Sequence, residues 1–313
     1  MGRGLMAAET PIAKCPGVPG VLDAPFRVFS LIRYRFFLYA GLLPYLLGSA
    51  WAYGVEKTFS PHLFSLGLFG IFLSVVGVES FNEYFDARMG TDRVFNPSDD
   101  EYIPEWMLWL GIFSFAVAAA VGFYLAKFGG WPVILYTLLG GLAALFYVGP
   151  PIRWVYRGMG ELMIGLSYGP WMTLGSLALY TRRFSWGALL ASLVPGLLIM
   201  SLAVVNAIPD FYQDRLVGKR NLVVRLGRKN GVFLYLGLSA LGLLVAIVGA
   251  AAGVFPKAAF FAAFSGLPFW ILSAKTALNA WDSPRLFIPA IKNIVLCYLV
   301  STSVFTLTLL ISK

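Results

Sequence analysis

Nine apolar stretches of about twenty residues follow one another along this 313-residue chain, each long enough to cross roughly 30 Å of hydrocarbon at 1.5 Å per residue. They lie near 34–54, 62–84, 104–126, 130–148, 160–180, 185–208, 231–253, 256–278 and 287–310. Lipid offers no water to unpaired backbone groups, so only helices and closed barrels span it. The short alternating polar and apolar segments of a barrel are absent. The expected fold is an all-α polytopic membrane bundle of nine transmembrane helices. Composition agrees: 59% of residues are hydrophobic and 12% charged, against about 25% charged in a soluble domain.

The net charge of +9 raises the question of nucleic acid, and the distribution of charge answers it. If the stretches alternate direction, 18 of the 24 lysines and arginines fall on the N-terminal side of the bundle. That bias sets the N-terminus in the cytoplasm and needs no nucleic acid. Of the 15 acids, only Glu56 falls on the other side. Cys15 and Cys297 imply no disulfide framework, and His62 is the only histidine, so no zinc or haem site is expected. The first twenty residues lack the apolar core of a signal peptide. Residues 1–30 are expected to form a loosely ordered cytoplasmic tail, and 31–313 a single transmembrane domain.

Two polar stripes interrupt this apolar chain. The second apolar stretch ends in Glu79, Asn82, Glu83 and Asp86, with Arg88, Asp92 and Arg93 beyond. The sixth ends in Asn206, Asp210 and Asp214, followed by Arg215, Lys219, Arg220 and Arg225. Positions four apart stack on one helix face, roughly 6 Å from one another. Carboxylates within a bilayer are costly, so both stripes are expected to face a cavity or each other. The Asn-x-x-x-Asp pattern recurs 124 residues later with four apolar stretches between, so the copies are parallel repeats. Hard oxygen ligands suit magnesium, which binds through one or two carboxylates plus phosphate oxygens. The expectation is that the stripes hold magnesium against a diphosphate whose free oxygens meet basic side chains. Pro209 is expected to loosen the second stripe's helix. A third region, Tyr147 to Glu161, has a Gly-Pro-Pro turn that is expected to bring Tyr147, Arg153, Tyr156 and Arg157 to the same cytoplasmic end.

The motifs Asn82-Glu-Tyr-Phe-Asp86-Ala-Arg-Met-Gly-Thr-Asp92 and Asn206-Ala-Ile-Pro-Asp210-Phe-Tyr-Gln-Asp214 resemble the two aspartate-rich motifs of the UbiA superfamily of intramembrane prenyltransferases. The resemblance covers roughly residues 30–310. It implies a central cavity open sideways to lipid, a polyprenyl diphosphate donor, two magnesium ions and an aromatic acceptor. The spacing of the first motif and the Gly-Lys-Arg-Asn-Leu-Val-Val-Arg-Leu-Gly after the second are similar to the 1,4-dihydroxy-2-naphthoate branch of menaquinone synthesis. Glu83 follows Asn82 where many members carry Asp, and Ala207 follows Asn206 where that branch often has Asn. On this reading Asn82, Asp86, Asp92, Asn206, Asp210 and Asp214 hold metal, and Arg88, Arg153 and Lys219 contact the diphosphate. Asp86, Asp210 and Tyr147 are the candidate catalytic residues, Tyr147 lying near the reacting carbon. The lipid bilayer is the expected environment, with no nucleic acid and no obligate protein partner. The alternatives are a cation-coupled transporter, a non-catalytic lipid-binding subunit, or a UbiA-type enzyme acting on 4-hydroxybenzoate or a prenylglyceryl phosphate.

Overall fold

A computed structural model describes residues 37–89 and 104–311. The expected tail and Asp92 lie outside the described residues. A π-helical turn, Phe37–Leu42, runs into α1, Leu43–Gly54. Then come α2, Pro61–Met89, α3, Trp106–Gly129, and α4, Trp131–Leu145. A 3-10 turn at Trp154–Arg157 precedes α5, Gly160–Thr181. α6 is Trp186–Ala207, followed by two short helices, α7, Phe211–Leu216, and α8, Leu222–Leu226. The chain ends in α9, Arg228–Ala251, α10, Phe260–Ala280, and α11, Pro284–Ile311. There is no strand among the described residues.

Among the described residues seven helices are long and apolar enough to cross a membrane: α2, α3, α5, α6, α9, α10 with its preceding turn, and α11. The other two expected spans are shorter in regular α-helix. α4 has 15 residues, a rise of about 22 Å. It ends before Tyr147 because the chain must turn at Gly149–Pro150–Pro151. α1 has 12 residues with Pro44 at its start. Proline brings no N–H to the helical ladder, and the turn before it is the wider π form.

Local signals place the helices that carry the site. A tight hairpin joins α3 to α4. Gly130 takes φ +73°, open to glycine, while its N–H still bonds Ala126 O at 2.8 Å. α6 starts at Ser185, whose hydroxyl accepts from the Ala188 N–H at 3.3 Å. α5 contains Pro170 and accommodates it by a π-helical turn at Ser167–Trp171. There α5 crosses α6 at backbone distance. A Cβ on Gly169 would lie 2.6 Å from Gly196 Cα, so both crossing residues must be small.

Packing is uneven. α1, α6, α9, α10 and α11 share the largest apolar core, built on Leu47, Val194, Leu198, Tyr235, Phe287 and Phe305. α4, in contrast, buries only Pro132, Val133 and Ala143. Between α2, α3, α4, α5 and α6 the bundle is hollow, enclosing a cavity of about 720 Å³. A smaller cluster of Phe81, Val148 and Val155, joined by Phe85 and Tyr147, fastens the end of α2 to the 147–156 loop.

Candidate active site

α2 has 29 residues, a rise of about 43 Å, which exceeds the hydrocarbon thickness and leaves its last turns free to carry polar groups. Glu79, Asn82, Glu83 and Asp86 all border the cavity. They lie three or four residues apart, on the face that Ile71, Val75 and Val78 continue inward. The Asn82 Oδ1 is buried and has no hydrogen-bond partner among the described residues. Two residues past Asp86 is about 200° around the helix, so Arg88 faces elsewhere. Its guanidinium lies 3.7 Å from the Tyr84 ring centre and 3.8 Å from Glu105 Oε1.

The second stripe reaches the same cavity by another route. The spacing of Asn206, Asp210 and Asp214 suggests one continuous face, but α6 stops at Ala207 and the helix restarts at Phe211. Pro209 is the cause, since its ring obstructs the preceding turn and it donates no backbone bond. The Asp214 N–H still bonds Asp210 O at 2.8 Å, and all three side chains border the cavity. The chain then turns at Gly218, φ +78°, and the Lys219 N–H returns to Asp214 O at 2.9 Å. That turn brings the Lys219 Nζ to 3.2 Å from Asp86 Oδ1 and 4.0 Å from Asp214 Oδ1.

Two residues that sequence reasoning did not assign to the site complete it. Asn221 donates from Nδ2 to Asp214 Oδ2 at 2.6 Å, and its Oδ1 accepts the Val224 N–H at 2.8 Å, capping α8. Glu161, in the first turn of α5, accepts the Leu222 N–H at 2.8 Å. An Asn before the apolar run Leu222–Val223–Val224 is a capping signal, and an acid opening an apolar stretch is rare in this chain. Neither signal tells which carboxylate lies opposite.

The third region divides. Tyr147 borders the cavity. Arg153 does not: its Nη1 lies 3.8 Å from Met89 Sδ and its guanidinium 6.0 Å from the Tyr156 ring centre. Its backbone takes φ +54°, which turns it out of the run that Tyr147 begins. Arg225 is a clasp between loops, donating to Arg157 O at 2.6 Å and Arg220 O at 2.8 Å. Of the three basic residues expected at a diphosphate, only Lys219 borders the cavity.

Among the described residues the cavity mouth carries six carboxyl groups, on Glu79, Glu83, Asp86, Glu161, Asp210 and Asp214, and one ammonium, on Lys219. Burial pushes the Asp214 carboxyl up to about 6, and neighbouring Asp210 and Asp86 add to the rise against the pull of Lys219 and Asn221. Burial raises Asp210 too, opposed by Lys219. Burial pulls the Lys219 ammonium down, but Asp86 and Asp214 outweigh it and its pKa ends above the usual lysine value. No three His, Cys, Asp or Glu side chains among the described residues group closely enough to hold one ion. The donors do suit magnesium in a different arrangement. The stripes offer carboxylates and the unpartnered Asn82 Oδ1 from two sides, and magnesium takes few protein ligands when phosphate supplies the rest.

A model of the UbiA prenyltransferase family matches residues 41–288. The chain is 28% identical over 203 residues to a 1,4-dihydroxy-2-naphthoate octaprenyltransferase of Bacillus subtilis (strain 168), covering 63% of this chain and 65% of that protein. It is 28% identical over 223 residues to a 2-carboxy-1,4-naphthoquinone phytyltransferase of Synechocystis, covering 65% and 69%. The alignments thus span about two thirds of these relatives' length. The solved structure of a UbiA homolog from Archaeoglobus fulgidus bound to GPP and Mg2+ superposes with a TM-score of 0.63 at 16% identity, over 89% of this chain and 99% of that one.

Proposed function

The chain belongs to the UbiA prenyltransferase family, an integral membrane family, and from that premise we propose that it moves a polyprenyl group from its diphosphate to an aromatic acceptor. The observation that carries this reading is the excess of carboxylates over ammonium at the mouth of an otherwise apolar cavity. A diphosphate cannot approach six acids and one lysine unless divalent cations come with it. The apolar depth below, walled by Ala118, Val121, Leu138 and Leu142, suits the tail of the same molecule.

Asn82, Asp86, Asn206, Asp210 and Asp214, with Asp92, would hold two magnesium ions. When bound, magnesium neutralises the leaving diphosphate so that its allylic C–O bond can ionise. Lys219 donates to a diphosphate oxygen, in place of the Arg88 and Arg153 contacts suggested by sequence. Asn221 and Glu161 position Asp214 and the backbone that carries Lys219. Tyr147 presents a phenol, ordinarily protonated below a pH of about 10, whose ring borders the path of an allylic cation. The cavity walls keep water from the cation until an electron-rich ring carbon attacks it, and that carbon then releases its proton, or its carboxyl group as carbon dioxide and a proton, so that the ring regains aromaticity.

A 1,4-dihydroxy-2-naphthoate-type acceptor, hence menaquinone-type quinone synthesis, is supported by the names of the two relatives above. The GPP and Mg2+ of the Archaeoglobus homolog support the donor and the metal. The excess of basic residues at the site end supports a cytoplasmic membrane location with the mouth towards the cytoplasm. The test is to give the purified protein, in lipid nanodiscs, one labelled prenyl diphosphate and a panel of acceptors. The panel holds dihydroxynaphthoate, 4-hydroxybenzoate and a prenylglyceryl phosphate, each with magnesium or with EDTA, and products are read by mass spectrometry. A magnesium-dependent prenylated naphthoate is expected. Prenylation of another acceptor alone would move the substrate assignment. No diphosphate release with any acceptor would leave the transporter reading.

A further inference from the structure

Glycine is the poorest helix former after proline, and most glycines facing this cavity have a packing reason to be there. A Cβ would come within 2.5 Å of Tyr45 Oη at Gly67, 2.6 Å of Thr137 Cγ2 at Gly122, and 3.2 Å of Tyr136 Cβ at Gly175. Gly140 and Gly141 differ. Both stand inside α4 and border the cavity, yet a Cβ at either meets nothing within 4 Å. Neither has a positive φ, and no neighbouring helix needs them small. What their missing side chains leave is cavity space.

Their depth gives that space a use. Gly140 and Gly141 stand five and four residues before Leu145, about 6–8 Å of helix rise from the end that leads to Tyr147. A donor whose diphosphate lies among Asp86, Asp210 and Lys219 would pass its later isoprene units beside them. We propose that Gly140 and Gly141 are the specificity-determining positions for prenyl chain length, keeping the slot wide enough for donors well beyond two isoprene units. The proposal rests on the donor reading above and adds to it the part of the chain that selects tail length.

The test compares magnesium-dependent binding of geranyl and octaprenyl diphosphate to the full chain in nanodiscs, so it needs no acceptor. The two donors share a diphosphate, so their affinity ratio isolates the tail. Gly140→Leu and Gly141→Leu are each expected to weaken octaprenyl diphosphate about 10-fold or more, with geranyl diphosphate held within about 3-fold. Gly140→Ala and Gly141→Ala improve helix propensity and are expected to shift the ratio the same way by less. Gly237→Leu is the control. Gly237 is a helical glycine on α9 with equal free space, exposed and away from the cavity, and both affinities should stay at wild-type values. A wild-type ratio in the Leu variants, or in the Ala variants if the Leu variants do not fold, overturns the proposal while leaving the donor reading intact. If the wild-type protein binds neither diphosphate, the donor reading is lost and the proposal with it.

Discussion

The Lys219 ammonium lies 3.2 Å from the Asp86 carboxylate, so a residue five positions past the second aspartate-rich motif closes on the first. The two are 133 positions apart, and no helix carries both. Lys219 also reaches Asp214 at 4.0 Å, so one cation faces acids of both stripes. Lys219→Met is expected to raise the donor KM about 10- to 100-fold, the range for losing a charge-assisted hydrogen bond. Steady-state kinetics with varied prenyl diphosphate checks this, and an unchanged KM would remove Lys219 from the diphosphate site.

Asp86→Asn and Asp210→Asn each remove a charge but keep shape and one oxygen. Each is expected to cut magnesium-dependent turnover about 1,000-fold, the size seen when a group stabilising transition-state charge is deleted. For Asp210→Asn the melting temperature should hold or rise, because burial of the Asp210 charge is itself unfavourable, whereas Asp86→Asn takes the nearer partner from Lys219 and should lower it. Magnesium titration of turnover, beside a melting curve, separates loss of metal from loss of fold.

Asn221 has two tasks that can be separated. Asn221→Ser keeps an oxygen able to cap α8 but cannot reach across to Asp214 as Nδ2 does. Asn221→Ala loses both and is expected to cost about 1 kcal/mol through the lost cap. Serine should therefore restore stability but not magnesium affinity. A serine variant with wild-type magnesium affinity would show that the 2.6 Å bond to Asp214 does not position it.

Asp214 gives a pH dependence whose sign is fixed. Its carboxyl rises from 3.8 to about 6 on folding, driven first by burial. Between those values the folded protein keeps a proton that the unfolded chain releases. Lowering pH through about 6 towards 4 therefore stabilises the magnesium-free protein. Over the same window protons compete with magnesium, so its affinity falls. Melting temperatures with EDTA and magnesium titrations from pH 7.5 to 5 check both. Asp214→Asn should flatten the difference.

Much of the architecture was legible because lipid leaves a chain few choices. Long apolar runs must be helices, and Gly129–Gly130 reads as a hairpin from composition and spacing alone. Asn82 and Asp86 were legible for the same reason, since an amide and an acid at helical spacing beside a membrane span must face something polar. The second stripe was half legible. Its residues reach the cavity, but across a break at Pro209 rather than along one face. Arg88 and Arg153 show where sequence neighbourhood misleads: both sit beside motif residues, and both turn towards other partners.

By itself the sequence determined the helical class and marked the oxygen-bearing residues at one end of the bundle. These follow from local rules of hydrophobic length, helical period and charge, each operating within about twenty residues. Only the tertiary structure decided that Lys219 meets Asp86, that Asn221 and Glu161 support Asp214 and its loop, and that Gly140 and Gly141 face open space. Those relationships depend on which helices pack tightly and which stand apart, a property of the whole bundle that no single segment encodes.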